Sequence, residues 1–254
     1  MAPDPAASVA SRVHRDASMG YEKAFFDLQL RFAACAARVG GIEVRRALLD
    51  YTNLYARFGL GRDFDARQPV WRSFLAGWET ARDKVEWTYA FYEDRLPDRG
   101  PPALVESVGC FAFARLDATR IRLHFRPVGA RTEAALGATA ASERRAELRA
   151  LIAKVRASEA AATRVVGTSW LYNVDAYRRL FPVAYLATAR PAAPRFRSMA
   201  LWGQLLRRGG VVRDGAGHAL IEAAQRATTV QALAQCFPLQ ALSLDAPVTA
   251  FDTA

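Results

Sequence analysis

Histidine and cysteine occur only three times each in these 254 residues, and lysine is as rare. His14, His124 and His218 stand far apart with no H-E-x-x-H pattern, which argues against a metal centre built mainly of histidine. Cys35, Cys110 and Cys236 are isolated and odd in number. Neither a disulfide framework nor a structural zinc site is expected, and a reducing, cytoplasmic setting is. No stretch reaches the roughly 18 consecutive apolar residues of a membrane helix, so no membrane partner is expected. Residues 1–18 are polar and rich in Pro, Ala and Ser, without an apolar run of signal-peptide length, and read as a disordered N-terminus.

What is present is enough apolar side chain, 52%, to build a sizeable core. The net charge of +10 is uneven. Residues 1–100 carry 15 basic and 14 acidic side chains, and residues 101–254 carry 20 and 11. A negatively charged partner therefore belongs with the second part. Of the 35 basic residues 32 are arginine, which a GC-rich coding bias also yields, and net charge speaks to association rather than to fold.

Residues 19–96 read as a helical region. Tyr21, Phe25, Leu28, Phe32, Cys35 and Val39 recur at helical spacing and stop at Gly40-Gly41. Val44, Leu48, Tyr51, Tyr55 and Phe58 predict a second helix ending at Gly59, and Trp71 to Tyr92 a long third one after Pro69. Aromatic residues at this spacing bury the most apolar area and belong first to a core. Tyr51 and Tyr55 still offer hydroxyls to a ligand lying between helices and sheet. The segment Leu96-Pro-Asp-Arg-Gly-Pro-Pro102 breaks the chain and sets a boundary before an α+β region, 103–254.

In that region Gly109–Leu116 and Arg120–Arg126 alternate at period two and predict a central β-hairpin. A helix over 142–160, a strand over 165–172, a short helix over 174–181 and two helices between Gly217 and Phe237 follow; Met199–Leu206 fits strand or helix. With Asp117–Arg120 as the turn, Arg115 would face Arg122, Phe113 would face His124 and Phe111 would face Arg126. His124 would then lie among arginines that lower its pKa. Such a neutral imidazole could act as a base on a substrate whose carboxylate or phosphate Arg115, Arg122 and Arg126 hold. The bland alternative is a solvated strand face.

Three further stretches hold polar groups. Phe-Ala-Phe-Ala-Arg-Leu116 is similar to the aromatic centre of an RNA-recognition motif, without the basic-Gly pair before it. Gly167-Thr-Ser169-Trp-Leu171 lacks the second glycine of a nucleophile elbow, which leaves Thr168, Ser169, Tyr172 and Asn173 as polar ligands at a strand end. Val211-Val-Arg-Asp-Gly-Ala-Gly-His218 and Asp245–Phe251 resemble parts of GNAT-type acyltransferases over about 40 residues. In that family an R-x-x-G-x-G turn holds the pyrophosphate of a CoA-type donor, a role the resemblance gives to Gly215 and Gly217. Here Arg213 stands two residues before Gly215 rather than three.

The expected architecture is an N-terminal antiparallel helical region packed on a C-terminal mixed α/β part. The expected function is an enzyme acting on a small anion-bearing substrate in a cleft between the two, with His124 as base and acyl transfer as its most specific form. A nucleic-acid-binding module using the basic hairpin face, or a non-catalytic partner-binding protein, are the alternatives.

Overall fold

The structure is a computed structural model that describes residues 20–96, 104–126, 135–193 and 196–252, apart from the side chain of Arg208. The expected disordered segment 1–18 and most of the predicted boundary segment 96–102 lie outside the described residues. The first apolar stripe forms α1 (Lys23–Gly40), which buries Phe25, Leu28, Phe32 and Cys35. Gly41 ends it in the left-handed region, at a φ of 60°, with its N–H on the Ala37 carbonyl. Glycine adopts that conformation without a Cβ penalty.

The second and third stripes each divide, against expectation. The second gives α2 (Val44–Tyr51) and α3 (Leu54–Arg57). Between them the Thr52 hydroxyl donates to the Leu48 carbonyl and the Asn53 N–H donates to Gln29 Oε1 at 2.8 Å. Buried polar side chains thus take over bonds that a continuous helix would supply. The third gives α4 (Pro69–Thr80) and α5 (Lys84–Asp94). Asp83 Oδ1 accepts from the N–H groups of Val85 and Glu86, both at 2.9 Å, and so starts a new helix.

The second part opens with β1 (Glu106–Val108), β2 (Phe111–Arg115) and β3 (Arg120–Phe125), an antiparallel meander. Helix α6 (Ala141–Ser158) then crosses to β4 (Arg164–Ser169), which runs parallel to β3. Short helices α7 (Asp175–Arg178) and α8 (Val183–Leu186) lead to the two-residue edge strand β5 (Arg190–Pro191). Next come α9 (Met199–Trp202), which settles the 199–206 ambiguity as helix with a 3-10 turn after it, then α10 (Ala216–Arg226) and α11 (Val230–Gln235). Strand β6 (Leu242–Pro247) completes a mixed sheet in the order β1-β2-β3-β4-β6-β5, so the fold is α+β.

Two apolar cores result. Phe196, Trp202, Leu205, Leu220, Ile221, Leu233 and Phe237 join the core of the N-terminal helices. One face of the sheet packs Phe111, Phe113, Ile121, Leu123, Val165 and Leu244 against Leu148, Leu151, Ile152 and Val155 of α6.

The hairpin register differs from expectation by one residue. Phe111 pairs with Phe125, Ala112 with His124, Phe113 with Leu123, Ala114 with Arg122 and Arg115 with Ile121. The cause is a three-residue turn: the Leu116 N–H bonds the Arg120 carbonyl at 2.9 Å, and Asp117 Oδ1 accepts from the N–H groups of Thr119 and Arg120, both at 2.9 Å. These bonds hold the Asp117 carboxyl down at about 2, with the Thr119 N–H the largest cause. A one-residue slip exchanges the faces. Phe111 and Phe113 therefore leave the histidine face and enter the core.

Beneath β4, Tyr172 and Tyr185 bring their hydroxyls within 3.0 Å of each other. A Cβ at Gly167 would overlap both oxygens. Gly167→Ala is expected to cost about 1–3 kcal/mol through overpacking, read by urea unfolding, and Tyr172→Phe in the same background to recover part of the loss. Wild-type stability in the single variant would contradict this packing.

Candidate functional site

Strands β3 and β4 form the sheet's parallel pair, joined through α6. Their carboxyl ends carry His124 and Arg126 on one strand and Thr168 and Ser169 on the other. Ligands in open sheets with parallel strands gather at such ends. Opposite the α6 side, the sheet presents Arg122 and His124 from β3, Val166 and Thr168 from β4, and Ser243 and Asp245 from β6. The cross-strand neighbours of Arg122 and His124 on β2 are Ala114 and Ala112, whose small side chains leave the longer ones uncrowded.

Beside the arginine and histidine, Arg164 Nε donates to Asp245 Oδ1 at 2.7 Å, and the Thr168 and Ser243 hydroxyl oxygens are 3.3 Å apart. The helical part meets this region at two places. Helix α9 packs against β4, and its Met199 Sδ accepts from Asn53 Nδ2 at 2.7 Å. The loop between α3 and α4 brings Arg62 close enough for its charge to act on His124.

That loop is held in a demanding conformation. Gly59, Gly61 and Phe64 have φ values of 76°, 98° and 52°. For a phenylalanine the left-handed region costs on the order of 1–2 kcal/mol. Packing offsets the cost: the Phe64 ring stacks on Tyr55 with centroids 5.1 Å apart, and the Arg197 guanidinium lies 4.6 Å above it while pairing with Asp50.

His124 is half-buried, and its pKa falls from 6.5 to about 4. Burial is the largest cause, followed by the guanidinium groups of Arg122, Arg62 and Arg126. The imidazole is neutral at neutral pH. Arg62 and Arg126 are exposed and have no carboxylate partner among the described residues.

The other residues singled out on sequence have other partners, Ser169 and Asn173 among them at the same end of β4. Arg115 is on the opposite face, where its Nε donates to Glu159 Oε2 at 2.7 Å, so it is no neighbour of His124. Tyr172 is buried in the sheet core. Tyr55 is buried in the helical core, and Tyr51 packs on Phe196 with ring centroids 5.0 Å apart. Ser169, in extended backbone, accepts from the Leu171 N–H at 3.1 Å and caps a 3-10 turn, without the sharp bend of a nucleophile elbow. Asn173 Nδ2 ties that turn to the Gln240 carbonyl at 2.7 Å. Gly215 precedes α10, and Gly217 lies within it, where an added Cβ would come 3.3 Å from Val212.

Arg62 and Ser243 are additions to the residues singled out on sequence, and Thr168, expected as a polar ligand at the strand end, lies on the same sheet face as His124. The glycines at 59 and 61 signal a loop beside Arg62, but nothing local signals that the charge of Arg62 acts on His124. A surface cavity of about 430 Å³ lies between α4 and α5, lined by Pro69, Val70, Ser73, Phe91, Asp94 and Arg95, and includes none of these residues. Among the described residues, no cluster of three or more His, Cys, Asp or Glu side chains could hold a metal ion, and no helix is long and apolar enough to cross a membrane.

A histidine whose folded pKa lies below its unfolded one excludes a proton that the unfolded chain binds. Stability therefore rises with pH between about 4 and 6.5 and is lost as pH falls through that window, by on the order of 1–3 kcal/mol once solvent screening of the half-exposed ring is allowed for. His124→Gln is expected to flatten this part of the curve, measured by urea unfolding at stepped pH. Identical slopes in wild type and variant would contradict a neutral, half-buried imidazole.

No family model, curated protein or solved structure matches this chain.

Proposed function

We propose that the protein is an enzyme that binds a small anion-bearing substrate where the helical part meets the carboxyl ends of β3 and β4. His124 serves as general base, and Arg122 and Arg126 hold the anion. The observation that carries this reading is the half-buried imidazole acted on by guanidinium groups from both parts of the molecule. In the free protein burial first, and that field second, make His124 a weak base. An anion held by the arginines offsets the field and returns the imidazole toward the range useful near neutral pH. Substrate binding and activation of the base are thereby one event. The acyl-transfer form of this reading, with a CoA-type donor, rests on the turn that contains Gly215 and Gly217.

Exposure of Arg62 and Arg126 favours a second reading, a nucleic-acid-binding surface. It requires affinity for single-stranded RNA to fall steeply with salt, and a flat salt dependence contradicts it. For the enzyme reading, the imidazole signals of His124 are to be titrated by NMR with and without saturating acetate or phosphate. The expected result is a midpoint near 4 in the free protein and a rise of about one unit or more with at least one of the two anions. A midpoint unmoved by either contradicts the reading.

A further inference from the structure

The cavity between α4 and α5 is framed by two helix ends of opposite polarity. Pro69 and Val70 open α4, with Ser73 one turn on, while Phe91 and Asp94 belong to the last turn of α5 and Arg95 caps it. Unpaired backbone N–H groups give a helix start a partial positive charge, and unpaired carbonyls give a helix end a partial negative one. The volume of about 430 Å³ is in the range of small-molecule sites. The cavity shares no residue with the site at His124.

The side chains repeat that polarity. Asp94 and Arg95 line the cavity together without pairing with each other, and neither has a partner of opposite charge among the described residues. Arg95 Nε donates to the Phe58 carbonyl at 2.8 Å, which anchors the guanidinium and leaves its terminal nitrogens for a ligand. The Ser73 hydroxyl is exposed and has no partner among the described residues. Phe91 supplies an apolar wall, held by Phe58 and Phe74 with ring centroids 4.9 and 5.2 Å away. Pro69 and Val70 extend that wall.

We propose that this cavity binds a small zwitterion with an apolar side group, a free α-amino acid. The ammonium meets Asp94, the carboxylate meets Arg95 and Ser73, and the side group lies on Phe91, Pro69 and Val70. A ligand of one charge satisfies only one of the two charged side chains and meets a like charge at the other. An α-amino acid carries both charges on one carbon and answers both. A peptide end carries only one of them, so the free amino acid is the source that fits. The anchored guanidinium and the packed Phe91 ring lower the ordering cost of binding.

The test is binding of L-phenylalanine to the full chain at pH 6.5, followed by the backbone amide signals of Phe91 to Arg95. Three controls each lack one feature: N-acetyl-L-phenylalanine the ammonium, L-phenylalaninamide the carboxylate, and glycine the side group. The expected result is a Kd of about 1 mM or tighter for L-phenylalanine and binding at least about tenfold weaker for each control. Asp94 is exposed and without a partner among the described residues, so Asp94→Asn is expected to keep the fold. It is expected to weaken L-phenylalanine about tenfold, a difference of about 1.4 kcal/mol, and to leave the N-acetyl form unchanged. Signals unmoved at about 10 mM L-phenylalanine would overturn the site. Equal affinity for L-phenylalanine and either blocked form would overturn recognition of a zwitterion, and equal affinity for glycine would overturn the role of the apolar wall. Unchanged affinity in Asp94→Asn would overturn the role of Asp94.

Discussion

The three-residue turn at Asp117 decides which side chains of the hairpin meet the core and which meet the helical part. Its carboxylate accepts from the N–H groups of Thr119 and Arg120 and also from Arg120 Nε at 2.6 Å. A turn shorter by one residue would turn Arg122 and His124 toward α6 and leave Ile121 and Leu123 on the polar side. Burying an unpaired guanidinium costs several kcal/mol, so turn chemistry and burial select the same register. The Asp117 carboxyl stays ionised down to about pH 2, and its contribution to stability, present above about 3.8, is lost only as pH falls through that lower range.

With the register set, His124 and Arg122 face away from α6, and the helical part supplies what the sheet lacks. Helix α9 packs against β4, and Arg62, on the loop between α3 and α4, lies near enough for its charge to act on His124. The loop is secured by aromatic stacking and by Arg197, so its conformational cost is met within the helical core. The chain's path strengthens the junction, because it leaves the helical part for β1, returns as α9 to α11 and ends in β6. An imidazole between arginines from both sides is a consequence of this assembly.

Much of the fold is legible in the sequence. The apolar spacing of Tyr21 to Val39 gives α1, and Gly40-Gly41 marks its end; the alternation of residues 109–126 gives the hairpin; Thr228-Thr229 marks the division between α10 and α11. The divisions at Thr52 and Asp83 are hidden because the apolar spacing continues across them while side-chain hydrogen bonds redirect the backbone. The register was open to a one-residue error because both flanking segments alternate cleanly and a two-residue and a three-residue turn fit the same letters. A sharper reading of Asp117-Ala-Thr119 as a side-chain-capped turn would have put Phe111 and Phe113 with Leu123 and Phe125. His124, Arg122 and Arg126 could be singled out by spacing within one strand, whereas Arg62, some sixty residues earlier, could not.

The most direct measurement is the pattern of backbone NOEs across β2 and β3. The expected pairs are Ala112 with His124 and Ala114 with Arg122. Pairing of Phe113 with His124 and Arg115 with Arg122 would return the phenylalanines to the histidine face and contradict the site as described.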